Sequence, residues 1–375
     1  MIRRISTSRF SCQPTNASNR VLKNPGSVVR ALLRVSMHTH VRRKAIFQQS
    51  TSLIQRQSER GVALVITLLM VALLVTLILE FDVSTRNELN AATNFRDGMK
   101  ASYLAKAGVS AAQAIMAEDA RIDKMFGRNY DTLFEVWATP LPNYPIGDGV
   151  VSVQVTDEMG KLNLNDLAAL TQGEASDSLR LLDHTRRFEQ LFELLVLDTR
   201  LLDAILDWVD SDDRQRKDGA EIQYYGELDR PYVTKNGPFD SLSELRLVKG
   251  ITDQVFERLS PFVTVYPRKP DGVTPVNINT ADPVVLQALD DQGNISTALA
   301  GDILQARPFQ SAQDLNRVTA LGDIDEKLRA DRVVEVASSY FSVRAVGTVG
   351  ETSKIAKAVI KRDAEKTELV YLRME

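Results

Sequence analysis

Apolar positions change their period along the chain, and each change marks an element. Residues 62–79 form an uncharged apolar run that ends at Glu80. At 1.5 Å per residue the run measures roughly 27 Å, enough to cross a hydrocarbon core. Beyond it, Leu89, Ala92, Phe95, Met99, Tyr103, Ala107 and Ala111 keep helical spacing, and proline is absent until Pro140. The spacing predicts one helix over 62–120, lipid-spanning in its first part and amphipathic afterwards, weakened locally at Gly98 and Gly108. The Pro/Gly-rich stretch TPLPNYPIGDG, ending at Gly149, reads as a linker. Residues 150–155 alternate β-branched and polar side chains and read as a strand; 161–165 reads as a second short strand, closing a hairpin.

Strand-like alternation returns at 339–347, 354–361 and 368–373, while 166–336 is helical in pattern. The expected class is α+β: a long N-terminal helix and an antiparallel sheet interrupted by a large helical insertion. The expected segments are a leader over 1–61, the helix over 62–120, linker and first strands over 121–165, the insertion over 166–336, and returning strands over 337–375. Inside the insertion, 240–250 resembles 309–318, each placing a helix after a serine cap. Thr280 and Pro283 read as the start of a further helix.

Charge divides the chain at the apolar run. Residues 1–60 carry twelve Lys/Arg and one acid, Glu59; from Gly61 onward there are 34 basic and 48 acidic residues. By the positive-inside rule the leader is cytoplasmic and the acidic remainder lies across the membrane. A secretory signal has an apolar core of about 7–15 residues followed by a small-residue cleavage site. Here Glu80-Phe-Asp follows a longer run, so the far side offers no such site. The single cysteine is Cys12, which leaves the exported part without a disulfide and makes a metal the remaining candidate staple.

One stretch is dense in carboxylates: Asp203, Asp207, Asp210, Asp212, Asp213, Asp218 and Glu221. With Asp210 as position 1, Asp212, Asp218 and Glu221 take EF-hand ligand positions. Arg214 at position 5, and Gln215 where the turn needs Gly, exclude a true EF-hand. Spacing alone leaves a solvated acidic loop and a hard-cation site both open. Trp208 and Tyr224 read as packing residues.

The segments RGVALV at the membrane, GKLNLNDL, DWVDSDD…DGAEIQYY, SELRLVKGIT and VNINTADPVVLQAL occur in order. Together, over residues 60–373, they resemble the general secretion pathway protein K (GspK) family, minor pseudopilins of the type II secretion system. The resemblance implies a pseudopilin sheet carrying a SAM or helix-hairpin-helix-like insertion. It implies a structural role at the tip of a periplasmic pseudopilus, with the I and J minor pseudopilins as partners above the major pseudopilin. It also implies cleavage by prepilin peptidase after Gly61, leaving a methylated Val62 in a single-pass inner-membrane protein. Most pseudopilins carry Glu at the fifth mature position, where its carboxylate neutralises a neighbour's N-terminal ammonium inside the bilayer; here that position is Ile66. Met37 offers an alternative start and a shorter leader. The family's calcium in the insertion points to Ca²⁺ here, with Asp210, Asp212 and Glu221 as first ligands, then Asp213 and Asp218.

Two other classes fit the sequence less well. Helix-hairpin-helix segments in a membrane-anchored protein suit DNA uptake, yet residues 240–335 hold ten basic and fifteen acidic side chains, a poor match for phosphate binding, so no nucleic acid is expected. An enzyme lacks its parts: after Gly61 the one histidine is His184, expected as an exposed helix residue, and there is no cysteine.

Overall fold

The computed structural model describes residues 55–171, 177–268, 272–363 and 366–375. The expected leader lies outside them up to residue 54, as do Cys12 and Met37. Helix α1 spans Gln55–Phe126 and so overruns the expected 62–120 at both ends. No proline interrupts it, and it stops only where Gly127 adopts φ +64°, with the Arg128 N–H reaching back to the Asp123 carbonyl at 2.9 Å. That glycine-terminated closure satisfies orphan carbonyls of the last turn.

The chain divides into two units, one up to Ile78 and one from Leu79. The first contains an apolar helical stretch, long enough to cross a membrane and unburied by protein. In the second, Ala105, Val109, Ala112 and Met116 of α1 pack on a five-stranded antiparallel sheet of order β1-β2-β7-β8-β9. Its strands are β1 (Leu141–Ile146), β2 (Gly149–Asp157), β7 (Tyr340–Val349), β8 (Thr352–Arg362) and β9 (Thr367–Met374). The α+β class, with its long helix and antiparallel sheet, is therefore as expected.

Two details of the expectation are corrected. The proline-rich linker is an edge strand, β1, paired antiparallel with β2. Pro142 and Pro145 are tolerated there because an edge strand need not donate every N–H. Residues 161–165 do not close a hairpin on β2 either. Strand β3 (Leu162–Asn163) pairs parallel with β4 (Val263–Thr264), a pairing that requires a long crossover, so GKLNLNDL opens the insertion.

The insertion is one plan used twice. In the first module, β3 and β4 enclose α2 (Asn165–Thr171), α3 (Asp177–Leu194), α4 (Leu201–Val209), α5 (Ile222–Gly226), a 3₁₀ turn (Leu242–Leu247) and α6 (Asp253–Leu259). In the second, β5 (Val276–Asn277) pairs parallel with β6 (Val334–Glu335) around α7 (Pro283–Ala288), α8 (Thr297–Ala306), a 3₁₀ turn (Ala312–Arg317) and α9 (Asp323–Ala330). The two look-alike segments are thus 3₁₀ turns rather than α-helices. Glu244 and Asp314 cap them, accepting backbone N–H groups of Asp240 and Gln310 at 3.0 and 2.9 Å. The N-cap of α7 is Asp282 instead of Thr280, its carboxylate accepting the Val284 N–H at 2.8 Å, while Thr280 donates to Asp157.

The two helical glycines differ in kind. A Cβ on Gly98 would meet only the Thr352 methyl at 3.8 Å, whereas one on Gly108 would come within 2.9 Å of Ala345, Val151 and Val153. Gly98→Ala is expected to stabilise the chain by about 0.5–1 kcal/mol through helix propensity. Gly108→Ala is expected to cost about 1–2 kcal/mol through overpacking. Denaturant unfolding of both variants in detergent micelles checks this opposition of sign.

Candidate metal centre

Helix α4 is apolar apart from Asp203 and Asp207, and its C-terminus delivers Asp210 as an extended cap residue. The chain then loops outward and returns through Gly219 to Glu221, the extended residue before α5. This route brings Asp207, Asp210 and Glu221 together, with one oxygen of each within 4.8 Å of the others. Their exposures are 0%, 4% and 3%. Gly219 closes over them: a Cβ there would stand 1.9 Å from the Asp207 carboxylate. On the far side Trp208 packs edge-on against the buried Tyr225 at 5.3 Å. Trp208 is a packing residue as expected, edge-on to Tyr225 and Tyr232, whereas Tyr224 is exposed.

One cation faces the three acids. Arg216 Nη1 donates to Asp207 at 2.7 Å and also to Asp210. Both oxygens of Glu221 and one of Asp210 are buried without a hydrogen-bond partner. A buried carboxylate with orphaned oxygens is costly. Burial, reinforced by the neighbouring Asp207 and Asp210 charges, pushes Glu221 up to about 7. Burial also raises Asp210, against the pull of Arg216. Three converging carboxylates are oxygen donors of the kind Ca²⁺ takes.

Of the five residues expected as ligands, the fold brings Asp210 and Glu221 together. Asp212, Asp213 and Asp218 stand elsewhere in the loop. Asp212 accepts the Arg214 N–H at 2.8 Å in a local turn, and Asp213 accepts from Asn236 at 3.1 Å. The Asp218 N–H donates to Asp203 at 3.1 Å. The third member, Asp207, lies outside an EF-hand count that begins at Asp210. Its signal was present: Asp207 and Asp210 are three apart, hence on one helical face.

His184 departs from expectation. It is 1% exposed, edge-on to Phe188 at 5.2 Å, with Nε2 3.4 Å from Asp166. Burial pushes its pKa down to about 3 and that of Asp166 up to about 7. The α3 stripe of His184, Phe188, Leu191 and Phe192 faces the core, and the ring fills that face as a neutral group.

A family model described as "Type II secretion system (T2SS), protein K" matches residues 160–268, and a second with the same description matches 276–337. They fall on the first and second modules in turn. Type II secretion system protein K of Aeromonas hydrophila is 29% identical over 327 residues, covering 84% of this chain and 96% of that protein. The chain is similar to type II secretion system protein K over both modules and most of its length. Protein K of Pectobacterium carotovorum subsp. carotovorum is 28% identical over 329 residues, with the same coverage. In fold, the chain is similar to one in the crystal structure of the GspK-GspI-GspJ complex from enterotoxigenic Escherichia coli. The TM-score is 0.62 at 23% identity, covering 78% of this chain and 99% of that one. Members of the protein K family are minor pseudopilins, structural components of the secretion apparatus, and the apolar N-terminal helix fits a single-pass inner-membrane anchor.

The titration of Glu221 carries a sign. Its folded pKa lies above the ordinary value of 4.5, so the native state holds a proton that the unfolded chain has released. Stability in chelator therefore falls as pH rises from about 4.5 through about 7. Thermal unfolding in chelator is expected to show a lower Tm at pH 7.5 than at pH 5, and Glu221→Gln is expected to flatten that slope.

Proposed function

We propose that this minor pseudopilin caps the tip of the periplasmic pseudopilus together with the I and J minor pseudopilins, supporting protein export across the outer membrane. Prepilin peptidase would cut after Gly61 and leave a methylated Val62, with the N-terminus cytoplasmic and the acidic part periplasmic. The observation that carries the reading is the charge-free span: residues 62–79 hold no acid, and Ile66 occupies mature position five. A charge in the bilayer is costly unless paired. A subunit with a carboxylate at that position pairs it with the ammonium of the subunit above. A subunit without one has nothing above it to satisfy, which suits the first place in a fibre. Similarity in fold to a chain of a complex of K, I and J supports the choice of partners.

The three-carboxylate centre would hold Ca²⁺ through Asp207, Asp210 and Glu221. The cation would neutralise the orphaned oxygens and tie the end of α4 to the start of α5, stapling an acidic loop that no disulfide can hold. The DNA-uptake reading draws no support from the charge balance of the insertion, which is acidic.

Three measurements test the parts separately. Mass spectrometry of the membrane-inserted protein is expected to find N-methylated Val62; an intact leader overturns prepilin processing. Co-purification of the full chain with I and J is expected in Ca²⁺, and failure to associate under those conditions sinks the capping role. In the same preparation Ca²⁺ is expected to raise the Tm, an effect removed by Asp207→Asn and Glu221→Gln but kept by Asp212→Asn.

A further inference from the structure

The sheet face turned away from α1 carries a row of like charges outside the three-carboxylate centre. Arg344 on β7 lies directly opposite Lys357 on β8, and Lys357 lies directly opposite Arg373 on β9. Their chain neighbours Ala345, Ala356 and Ala358 belong to the core beneath α1, so 344 and 357 point to the other face. Three cations therefore stand in a row across three strands, in steps of about 4.8 Å. Like charges at directly opposed positions destabilise a sheet. Relief comes from one side: Glu375 accepts Lys357 Nζ at 2.9 Å and lies 3.5 Å from Arg373 Nε. Arg344 forms no salt bridge among the described residues and feels Glu375 only at longer range.

The row forms one wall of a groove of about 780 Å³ whose other wall includes Arg246 and Phe256 of the first module. Arg246 sits over the Phe256 ring, its Cζ 3.9 Å from the centroid, and pairs with Asp253, which leaves Arg344 as the cation of the row with no salt bridge among the described residues. That volume is within the range of ligand-binding clefts. Five cationic side chains line the groove against two carboxylates, Glu158 and Glu375, although acids outnumber bases 48 to 34 from Gly61 onward.

We infer that this groove binds an extended acidic segment of another protein. Arginine forks and a lysine, already aligned and under-neutralised, receive carboxylates in charge-assisted hydrogen bonds. Glu375 marks where such a carboxylate sits. A walled groove in an acidic domain suits a short acidic peptide and disfavours a nucleic acid or a lipid surface, whose phosphates continue past the walls toward negative charge. The inference stands apart from the tip reading, because it concerns a surface of the folded chain whatever its place in the fibre.

The test uses the full chain in non-ionic detergent and a fluorescent peptide of six glutamates between glycine-serine flanks, read by anisotropy. Binding is expected to weaken at least about tenfold as salt rises from about 50 to about 300 mM. It is expected to weaken by about the same factor in the Arg344→Gln/Arg373→Gln variant, and to survive Arg344→Lys. The double variant is expected to melt no lower than the parent, because like-charge repulsion is removed, so lost binding is not lost folding. Three results overturn the inference: equal binding of a six-glutamine peptide, unchanged affinity in the double variant, or tighter binding of duplex DNA or phosphatidylglycerol vesicles.

Discussion

Helix α1, the sheet and the insertion meet at one guanidinium. Arg362, at the end of β8, is buried and donates to Asp119 on α1 at 2.6 Å, to Asp131 in the loop after α1, and to the Ser338 carbonyl at 3.3 Å. Asp131 passes the connection on. Its second carboxylate oxygen accepts the Ser338 N–H at 2.6 Å, its own N–H donates to the Val336 carbonyl at 2.7 Å, and its carbonyl takes Asn277 at 3.3 Å. Burial pushes Asp119 up to about 6 against the pull of Arg362. Without the guanidinium two buried carboxylates would be left uncompensated, a loss on the order of 3–5 kcal/mol.

The same junction clarifies the candidate metal centre by contrast. Asp119, Asp131 and Glu135 also bring carboxylate oxygens within 4.8 Å of one another. There, however, Arg362 bridges two of the acids and Trp137 Nε1 donates to the third at 2.5 Å. Around Asp207, Asp210 and Glu221 a single arginine serves two acids and Glu221 has no donor at all. Equal clustering with unequal satisfaction separates a paired ion network from a group of carboxylates left with orphaned oxygens.

Much of the fold was legible because period and class go together: an uninterrupted helical pattern gave α1, and alternation gave β2 and β7–β9. The insertion's internal plan was only half visible. The repeated Phe-x-Ser segments were plain, but their partners, Asn163-Leu-Asn165 and Asn277-Ile-Asn279, are short and lie 114 residues apart. Their role is three-dimensional. The Asn165 carboxamide accepts the Phe239 N–H at 2.7 Å and donates to its carbonyl at 3.0 Å, and Asn279 does the same to Phe309 at 2.7 and 2.8 Å. Each module is clamped by one asparagine reading both backbone groups of one phenylalanine. The clamp spans 74 residues in the first module and 30 in the second, and the extra length carries α4, the acidic loop and α5. Linear spacing missed Asp207 as a member of the carboxylate cluster because α4 contributes it from a helical face, which an EF-hand register does not count.

Charge placement then follows one rule with two outcomes. Beyond the apolar span, like charges are gathered at cost: three acids around one arginine, and three cations across one sheet row. Each gathering leaves capacity for an opposite partner, a cation in the first and a carboxylate in the second. In the apolar span the economy is reversed. Ile66 is 54% exposed, no different in kind from Val65 or Leu68 beside it, so packing assigns it no role. What sets it apart is chemical: no acid occurs between 62 and 79. Under the tip reading, Val62 offers an ammonium to the subunit below and asks for no partner above. The direction of assembly is then set by a missing carboxylate, which no contact within a single chain can display.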